Sequence, residues 1–208
     1  MSPKIAIQSK GKLKEGSLKF LNAIGFNFKP NGDKLISSCK QGKGEILLVR
    51  DDDIPSYVEK GIANYGIVGE NVLYENNFNV SVKKKLGFAK CNLMIAIPED
   101  SNIKSLSDLN GKKFATCYPN LLKQYLKDNK IEASIITLTG SVEIAPALGL
   151  SDVICDLVQT GGTLKANGLK IFVEVMQSEA VLIETISKPS LKFNIFKNEN
   201  IKYYPAIG

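Results

Sequence analysis

One octapeptide, DLVQTGGT beginning at Asp156, combines the groups that are needed to hold a sugar phosphate. Gly161 and Gly162 carry no side chains, so successive backbone N–H groups of such a turn can converge on an anion. Thr160 and Thr163 add hydroxyl donors, and a helix that begins here would direct its positive end at the same anion. An acid a few residues upstream can accept hydrogen bonds from sugar hydroxyls. The pattern favours a ribose 5-phosphate site, with a capped strand-to-helix turn as the alternative.

Arg50 is the only arginine of the chain and marks a second candidate anion site. It ends a strand-like segment and stands beside Asp51, Asp52 and Asp53. A guanidinium forms a bidentate fork with phosphate oxygens, which lysine does not reproduce. Ligands of open α/β sheets bind at the carboxyl ends of strands, where this residue is expected. Phosphate binding is therefore favoured over pairing with the neighbouring aspartates, which is the alternative.

Other candidates have weaker patterns around them. Lys10, with Gly11 beside it, follows the first predicted strand and could contact a phosphate; a solvated lysine in a lysine-rich chain is the alternative. Glu143 lies near the start of a predicted helix, where attraction to the helix dipole alone would explain a carboxylate. Asp53 is expected to cap a helix rather than to bind a ligand.

The composition excludes several classes of function. The chain of 208 residues has no histidine, which removes His-based metal sites, the Ser-His-Asp triad and imidazole acid–base chemistry. The net charge of +6 comes from lysines that are spread along the chain. The one sizeable cluster, Lys83-Lys84-Lys85, lacks the interleaved aromatic residues of a single-strand binder. We therefore expect no nucleic-acid partner.

The sequence also predicts a cytoplasmic protein without a membrane segment. No apolar run approaches the ~18 residues that a membrane span needs. The first residues, MSPKIAIQSKGKL, lead directly into a strand-like segment, so a secretory signal is not expected. The four cysteines are widely spaced and form no C-x-x-C pair, which favours reduced thiols over disulfides or a zinc site.

Short β-rich runs alternate with helical patterns, which predicts an α/β fold that positions these residues. Strands are expected at 5–8, 35–38, 45–50, 65–68, 80–86, 91–97, 113–117, 133–138, 152–157 and within 171–186. Helices are expected at 15–24, from Asp52 or Asp53 to about 60, at 105–109 and 121–129, from 141, and from the Thr-Gly-Gly-Thr turn to Asn167-Gly168. Two lobes are expected: residues 1–96 with about 178–208, and residues 97–177 with the phosphate turn.

Four segments of the chain resemble the ATP phosphoribosyltransferase family, the first enzymes of histidine biosynthesis. The longest is GSVEIAPALGLSDVICDLVQTGGTLKANGL (140–169), and the others are IQSKGKL (7–13), LLVRDDDIPSYVEKGIANYGIVGENVLYE (47–75) and FATCYPN (114–120). The resemblance implies a two-lobed α/β fold like that of type II periplasmic binding proteins. It also implies an active site in the cleft between the lobes.

The reaction implied by this resemblance joins ATP to phosphoribosyl pyrophosphate (PRPP) with the help of Mg²⁺, giving phosphoribosyl-ATP and pyrophosphate. The adenine ring nitrogen already has a lone pair, so no general base is needed and the absence of histidine is compatible. The reaction needs positioning and neutralisation of the departing pyrophosphate. A chain of this length is similar to the family's short form, which works with a regulatory subunit resembling histidyl-tRNA synthetase. A homodimer of catalytic chains is also expected.

The resemblance assigns roles to the candidate residues. The PRPP contacts are the acid and the turn, Asp156, Thr160, Gly161, Gly162 and Thr163. Arg50 and Lys10 are the expected catalytic residues, facing the pyrophosphate and ATP. Gly11 and Glu143 join them on the ATP side, Glu143 being a candidate for the nucleotide or the Mg²⁺ region. No set of side chains is expected to hold a metal ion by itself.

Some positions depart from the family pattern. Asn64 and Asn71 stand where aspartate is frequent, Cys117 where lysine is common, and Lys34 where a second arginine is expected. The closing segment KFNIFKNENIKYYPAIG does not resemble the usual final helix. These departures concern subunit contacts more than the chemistry.

A different class of function stays open, namely a non-catalytic module on the same scaffold that binds an anion or another ligand. Such a binder needs one phosphate cradle, whereas a transferase that joins two phosphorylated substrates needs two. The chain has the turn that follows Asp156 and the separate Lys10/Arg50 cluster, which favours the transferase.

Overall fold

The computed structural model describes residues 2–29, 34–40 and 44–186 of the chain. They form two compact units, one of residues 2–89 with 179–186 and one of residues 90–178. Each unit has its own mixed β-sheet with helices, which confirms the α/β prediction. None of the helices in the described ranges is long and apolar enough to cross a membrane. The rest of the predicted first lobe, with the closing segment, lies outside the described residues.

The first unit contains strands β1 (Lys4–Gln8), β2 (Ile36–Ser38), β3 (Glu45–Val49), β4 (Tyr65–Gly69) and β5 (Val80–Lys85), and helices α1 (Gly11–Ala23), α2 (Ile54–Glu59) and α3 (Glu70–Asn76). The second unit contains strands β6 (Cys91–Pro98), β7 (Lys113–Thr116), β8 (Ser134–Thr137), β9 (Val153–Val158) and β10 (Leu169–Ser178), and helices α4 (Pro119–Asp128) and α5 (Gly162–Ala166). The chain then returns to the first unit with β11 (Ala180–Thr185).

The first sheet has the order β2-β3-β1-β4-β11-β5, and β3, β1 and β4 run parallel at its centre. Ile5 and Ile7 of β1 pack on one face with Leu21 of α1, whereas Ala6 packs on the other face with Ile54 of α2. Because successive side chains of a strand point to opposite faces, this apolar run buries both sides of β1. Because β1 and β3 run parallel, their carboxyl ends lie at the same edge of the sheet. Lys10 and Arg50 follow these two strand ends.

The second sheet has the order β10-β6-β9-β7-β8, with β9 at its centre. β9 runs parallel to β7 and antiparallel to β6. Cys155 of β9 packs with Leu122 of α4 on one face, and Ile154 packs with Leu164 of α5 on the other. The carboxyl end of this buried strand carries Asp156 to the edge of the sheet.

The first boundary between the units differs from the expected one near residue 97. β6 pairs with β9 and β10, so the chain enters the second unit after Ala89. The polar segment that follows Ile97 is a turn inside the second unit, in which Ser101 N–H donates to the Pro98 carbonyl at 3.0 Å.

The helices also differ in part from the prediction. α1 begins at Gly11 rather than near residue 15, and α3 was not predicted. Asp53 precedes α2, but its side chain forms no capping hydrogen bond, because the 3₁₀ turn Asp51–Asp53 already leads into that helix. The capping role expected of Asp52 or Asp53 is therefore wrong. The predicted short helix before β7 is a 3₁₀ helix, Leu106–Leu109, with a capping box of Ser105 and Asp108.

Candidate functional site

The octapeptide that begins at Asp156 lines a pocket of about 300 Å³ within the second unit. The pocket is bordered by the end of β9, the turn that follows it and the first residues of α5. Glu143, from a separate segment of the chain, also lines the pocket. All five residues predicted to contact PRPP are present in it: Asp156, Thr160, Gly161, Gly162 and Thr163.

Glycine is favoured at the turn because Gly161 has a left-handed backbone, with a φ of 75°. Gly161 precedes α5, and no side chain caps the first N–H groups of this helix. A Cβ added at Gly162 would meet only the Thr160 hydroxyl oxygen, at 3.9 Å. The backbone of the turn is thus open to a ligand, as the phosphate interpretation needs.

The two threonines supply donors at the same place. Thr160 and Thr163 are exposed, and within the described part of the chain their hydroxyl groups have no hydrogen-bond partner. The carbonyl of Thr163 accepts a hydrogen bond from the Asn167 side chain at 2.9 Å, which helps to close the short helix. Hydroxyls and free N–H groups at a helix start are suited to bind an anion.

Asp156 is half-buried and belongs to the lining of the pocket. Its Oδ1 accepts a hydrogen bond from the backbone N–H of Leu157 at 2.8 Å. Burial raises the pKa of Asp156 above its ordinary value, the Leu157 hydrogen bond opposes this rise, and the charge of Glu143 adds to it. An acceptor that is partly desolvated and ionised can bind sugar hydroxyls strongly.

Glu143 sits on a single 3₁₀ turn, Val142–Ile144, instead of the longer helix expected from residue 141. Pro146 has no backbone N–H to continue a helix, which explains why the turn is short. Ser141, just before it, has a left-handed backbone with a φ of 49°. Glu143 had been assigned to ATP from the resemblance, and the structure places it in the same pocket as Asp156.

Lys10 and Arg50 follow two neighbouring strands of the first sheet. Gln8 of β1 pairs with Val49 of β3, and Ser9 N–H donates to the Val49 carbonyl at 2.9 Å. Both cationic residues are exposed, at the same edge of the sheet. Lys10 also precedes α1, whose first turn has no capping side chain, and Gly11 has a φ of 75°. Two cations and the positive end of a helix thus lie at one edge of this sheet, an arrangement that is suited to bind an anion.

The alternative in which Arg50 pairs with its aspartates is not what the structure shows. Among the described residues, Arg50 forms no ion pair. Burial, with the charges of Asp51 and Asp53, raises the pKa of Asp52, and Arg50 only partly opposes this rise. The guanidinium is therefore available to a ligand.

Several other positions have structural explanations. A Cβ at Gly66 would lie 2.7 Å from Ile54 Cγ2, so this glycine allows α2 to pack on the sheet. Asn64 Oδ1 accepts the Lys4 N–H at 2.9 Å, and Asn71 is buried in α3. Asp152 accepts the Lys113 N–H at 2.8 Å, so its carboxylate links the start of β9 to the start of β7.

Sequence reasoning missed Gln159, which lines the pocket between the acid and the turn. Its position within the octapeptide was the available signal. Lys34, also named from the resemblance, is exposed outside any helix or strand. The structure does not bring Glu143 together with Lys10, Gly11 and Arg50 in one unit, because Glu143 belongs to the second unit and the others to the first.

No cluster of three or more potential metal ligands exists within the described ranges. Glu143 and Asp156 are nevertheless two carboxylates on one pocket. Mg²⁺ is commonly held by one or two carboxylates together with substrate phosphates and water. The donor set therefore fits Mg²⁺ that arrives with a phosphorylated substrate, and not a metal bound by protein side chains alone.

Comparisons with known proteins identify relatives of this chain. The family model described as ATP phosphoribosyltransferase matches residues 50–202. The ATP phosphoribosyltransferase of Maricaulis maris is 48% identical over 186 residues, which cover 86% of this chain and 63% of that protein. The chain thus spans less than two thirds of the length of such curated relatives.

Solved structures show the same fold. A chain of the ATP phosphoribosyl transferase (HisG:HisZ) complex from Thermotoga maritima has a TM-score of 0.73 and 31% identity, covering 88% of this chain and 87% of that one. A histidine kinase sensor domain with similarity to periplasmic binding proteins has a TM-score of 0.58 at 12% identity, covering 88% and 82%. The second likeness concerns the fold alone, and it agrees with the expected type of scaffold. Taken with the family match, these results show that the chain belongs to the ATP phosphoribosyltransferase family.

Proposed function

We propose that this chain catalyses the transfer of phosphoribosyl from PRPP to ATP, giving phosphoribosyl-ATP and pyrophosphate. The observation that carries the proposal is the pocket in which a half-buried acid, Asp156, precedes an open Thr-Gly-Gly-Thr turn. The acid suits the ribose hydroxyls of PRPP and the turn suits its 5-phosphate. Family membership supports the same substrate.

The second anion site supports a role for ATP and the leaving group. In the reaction, an adenine ring nitrogen attacks the anomeric carbon of PRPP, and the bond from this carbon to the pyrophosphate oxygen breaks. The pyrophosphate leaves with the bonding electron pair, so negative charge grows on it in the transition state. Arg50, Lys10 and the first turn of α1 are the groups that we assign to this charge.

No residue needs to remove a proton before the attack, because the nucleophilic nitrogen has a free lone pair. The chain's lack of histidine is compatible with this chemistry. When bound, Mg²⁺ would neutralise phosphate charge. We propose that Glu143 and Asp156 are the carboxylates that hold it with the substrate, and that no further protein ligand is required.

We also propose a regulatory partner that resembles histidyl-tRNA synthetase, and a homodimer of catalytic chains. The partner proposal is supported by the similarity to a chain of the HisG:HisZ complex. If it is right, histidine inhibits the reaction only when the partner is present. Inhibition of this chain alone would contradict it, and steady-state rates with and without histidine would decide.

The first experiment is an activity assay of the purified chain with ATP, PRPP, Mg²⁺ and an inorganic pyrophosphatase. Ribosylation of adenine is followed by its ultraviolet absorbance, with and without the regulatory partner. Product in either mixture supports the transferase. Tight PRPP binding without product in both mixtures would instead favour the non-catalytic binding module.

A further inference from the structure

The ring of Phe88 lies directly on the backbone of helix α1 at Gly16. A Cβ added to Gly16 would be 2.3 Å from Cδ2 and 2.5 Å from Cε2 of this ring. Any residue other than glycine would therefore overlap with the phenylalanine. Glycine inside a helix is less stable than alanine, so its presence here is explained by the close contact.

The segment that carries Phe88 is held firmly on its other side. Leu86 N–H donates to the Ala180 carbonyl and Ala180 N–H donates to the Phe88 carbonyl, each at 2.9 Å. The Glu179 carboxylate accepts the Gly87 N–H at 2.7 Å. Ala180 begins β11, which lies inside the first sheet between β4 and β5. The phenylalanine is therefore fixed to the sheet by backbone hydrogen bonds.

The residues on both sides of Phe88 have left-handed backbones. The φ angle is 74° at Gly87 and 52° at Ala89. A left-handed alanine is unfavourable, and such a residue persists only where its surroundings hold it in place. The chain enters the second unit immediately after Ala89. The anchored segment is thus also the first connection between the two units.

Helix α1 is secured mainly by its second half. Its buried residues are Ser17, Phe20 and Leu21, whereas Gly11 and Lys12 at its start are exposed. The Ser17 hydroxyl donates to the Leu13 carbonyl at 2.6 Å, a bond within the helix that adds no link to the sheet. Leu13 also packs on the core from the first turns of the helix, and Phe88 adds, at Gly16, a contact with the helix backbone itself.

We propose that Phe88 is a positioning residue, which sets the placement of α1 and hence of Lys10 and Gly11 without contacting a substrate. The inference rests on the proposed function, because it takes these two residues as part of the ATP phosphate site. A displaced helix start would move the cationic group and the free N–H groups away from the phosphates. The PRPP pocket in the second unit shares no residue with this contact.

The test measures ATP and PRPP affinities of four variants by calorimetry. In Gly16→Ala the added methyl pushes against the ring, and we expect ATP affinity to fall about tenfold or more while PRPP affinity changes by less than about twofold. Phe88→Leu alone should weaken ATP binding only slightly. The double variant Gly16→Ala/Phe88→Leu should recover most of the ATP affinity, because the smaller side chain makes room for the methyl.

Gly44→Ala is the matched control. Its Cβ would lie 2.9 Å from the Pro3 carbonyl oxygen, just before β3 and at the opposite edge of the same sheet. This variant should be less stable to urea but keep its ATP affinity. Equal loss of ATP affinity in Gly16→Ala and Gly44→Ala would overturn the positioning role of Phe88, and so would no loss in Gly16→Ala. Either result would leave the proposed function standing. If the unaltered chain binds no ATP, the proposed function fails and the inference fails with it.

Discussion

Asp156 is half-buried, and the charge of Glu143 acts on it. Burial and the repulsion from Glu143 both disfavour the ionised form of its carboxyl group. The pKa of Asp156 is therefore raised, mainly by burial. Such a residue weakens the folded state, and a protein retains it where a ligand supplies the missing partners. The ribose hydroxyls of PRPP are the partners that we propose.

Replacement of Asp156 by asparagine should therefore stabilise the protein at neutral pH and weaken PRPP binding. Because the folded-state pKa lies above that of the unfolded chain, ionisation of Asp156 opposes folding, and this penalty disappears as the pH falls through the folded-state pKa. The gain in Tm of Asp156→Asn should accordingly shrink in mild acid. PRPP affinity should fall about tenfold or more, since hydrogen bonds to a charged acceptor are lost.

Asp152→Asn is the control for this substitution, at the other end of β9. Its carboxylate accepts the Lys113 N–H and does not line the pocket. This variant should lose a little stability and keep its PRPP affinity. A loss of PRPP affinity as large as that of Asp156→Asn would argue against a direct ribose contact.

Arg50→Lys tests the leaving-group role. Lysine keeps the charge but not the bidentate fork, and the pyrophosphate charge grows in the transition state. Turnover should therefore fall by about tenfold to a hundredfold, with a smaller loss of PRPP affinity. Steady-state kinetics and calorimetry give the two quantities. Equal losses in both would show that Arg50 acts in binding alone.

At the scale of elements, the strands and the position of the turn before α5 were well predicted. β9 is recognisable in the sequence as an apolar run because the strand is buried on both faces. The turn is recognisable from Gly161, because its left-handed backbone favours glycine. The start of α1 and the whole of α3 were missed. Their first residues, Gly11 and Glu70, lie outside any clear apolar repeat, and packing in the folded unit decides their conformation.

The turn into α5 allows binding and stability to be separated. Gly162 is the first residue of the helix, and a methyl group there meets only Thr160. Gly162→Ala should therefore keep its stability and lose about tenfold in PRPP affinity, because the methyl occupies space next to the phosphate donors. Urea unfolding and calorimetry on the same sample check both parts.

Gly168→Ala is the opposite control, since Gly168 follows α5 with a φ of 68° and has open space around it. It should lose about 1 kcal/mol of stability from left-handed strain and keep PRPP affinity. If Gly162→Ala bound PRPP normally, the 5-phosphate would have to lie elsewhere.

At the scale of the whole molecule, the boundary after Ala89 could not be predicted from composition. The crossing segment around Phe88 is apolar and packs on α1, whereas the polar segment after Ile97 is only a surface turn. The second unit is continuous in sequence, and the first is formed by two separate segments. Each unit carries one of the two proposed anion sites.

Hydrogen exchange can assign each ligand to its unit. Ribose 5-phosphate should slow amide exchange in the turn and first residues of α5, whereas ATP should slow it at the start of α1. Both expectations follow from free N–H groups at helix starts, which a bound phosphate would protect. If ATP but not ribose 5-phosphate protected α5, ATP would have to be assigned to the second unit and PRPP to the first.

The central place of β11 also determines when the first unit can be completed during synthesis. This strand lies between β4 and β5, yet it is translated only after all of residues 90–178. Domains usually fold in the order in which they leave the ribosome. Here the continuous second unit can complete its folding first. Until β11 is synthesised, β4 and β5 each have an unpaired edge, and such edges promote aggregation. The unit that holds the beginning of the chain is therefore the last to close on the nascent polypeptide.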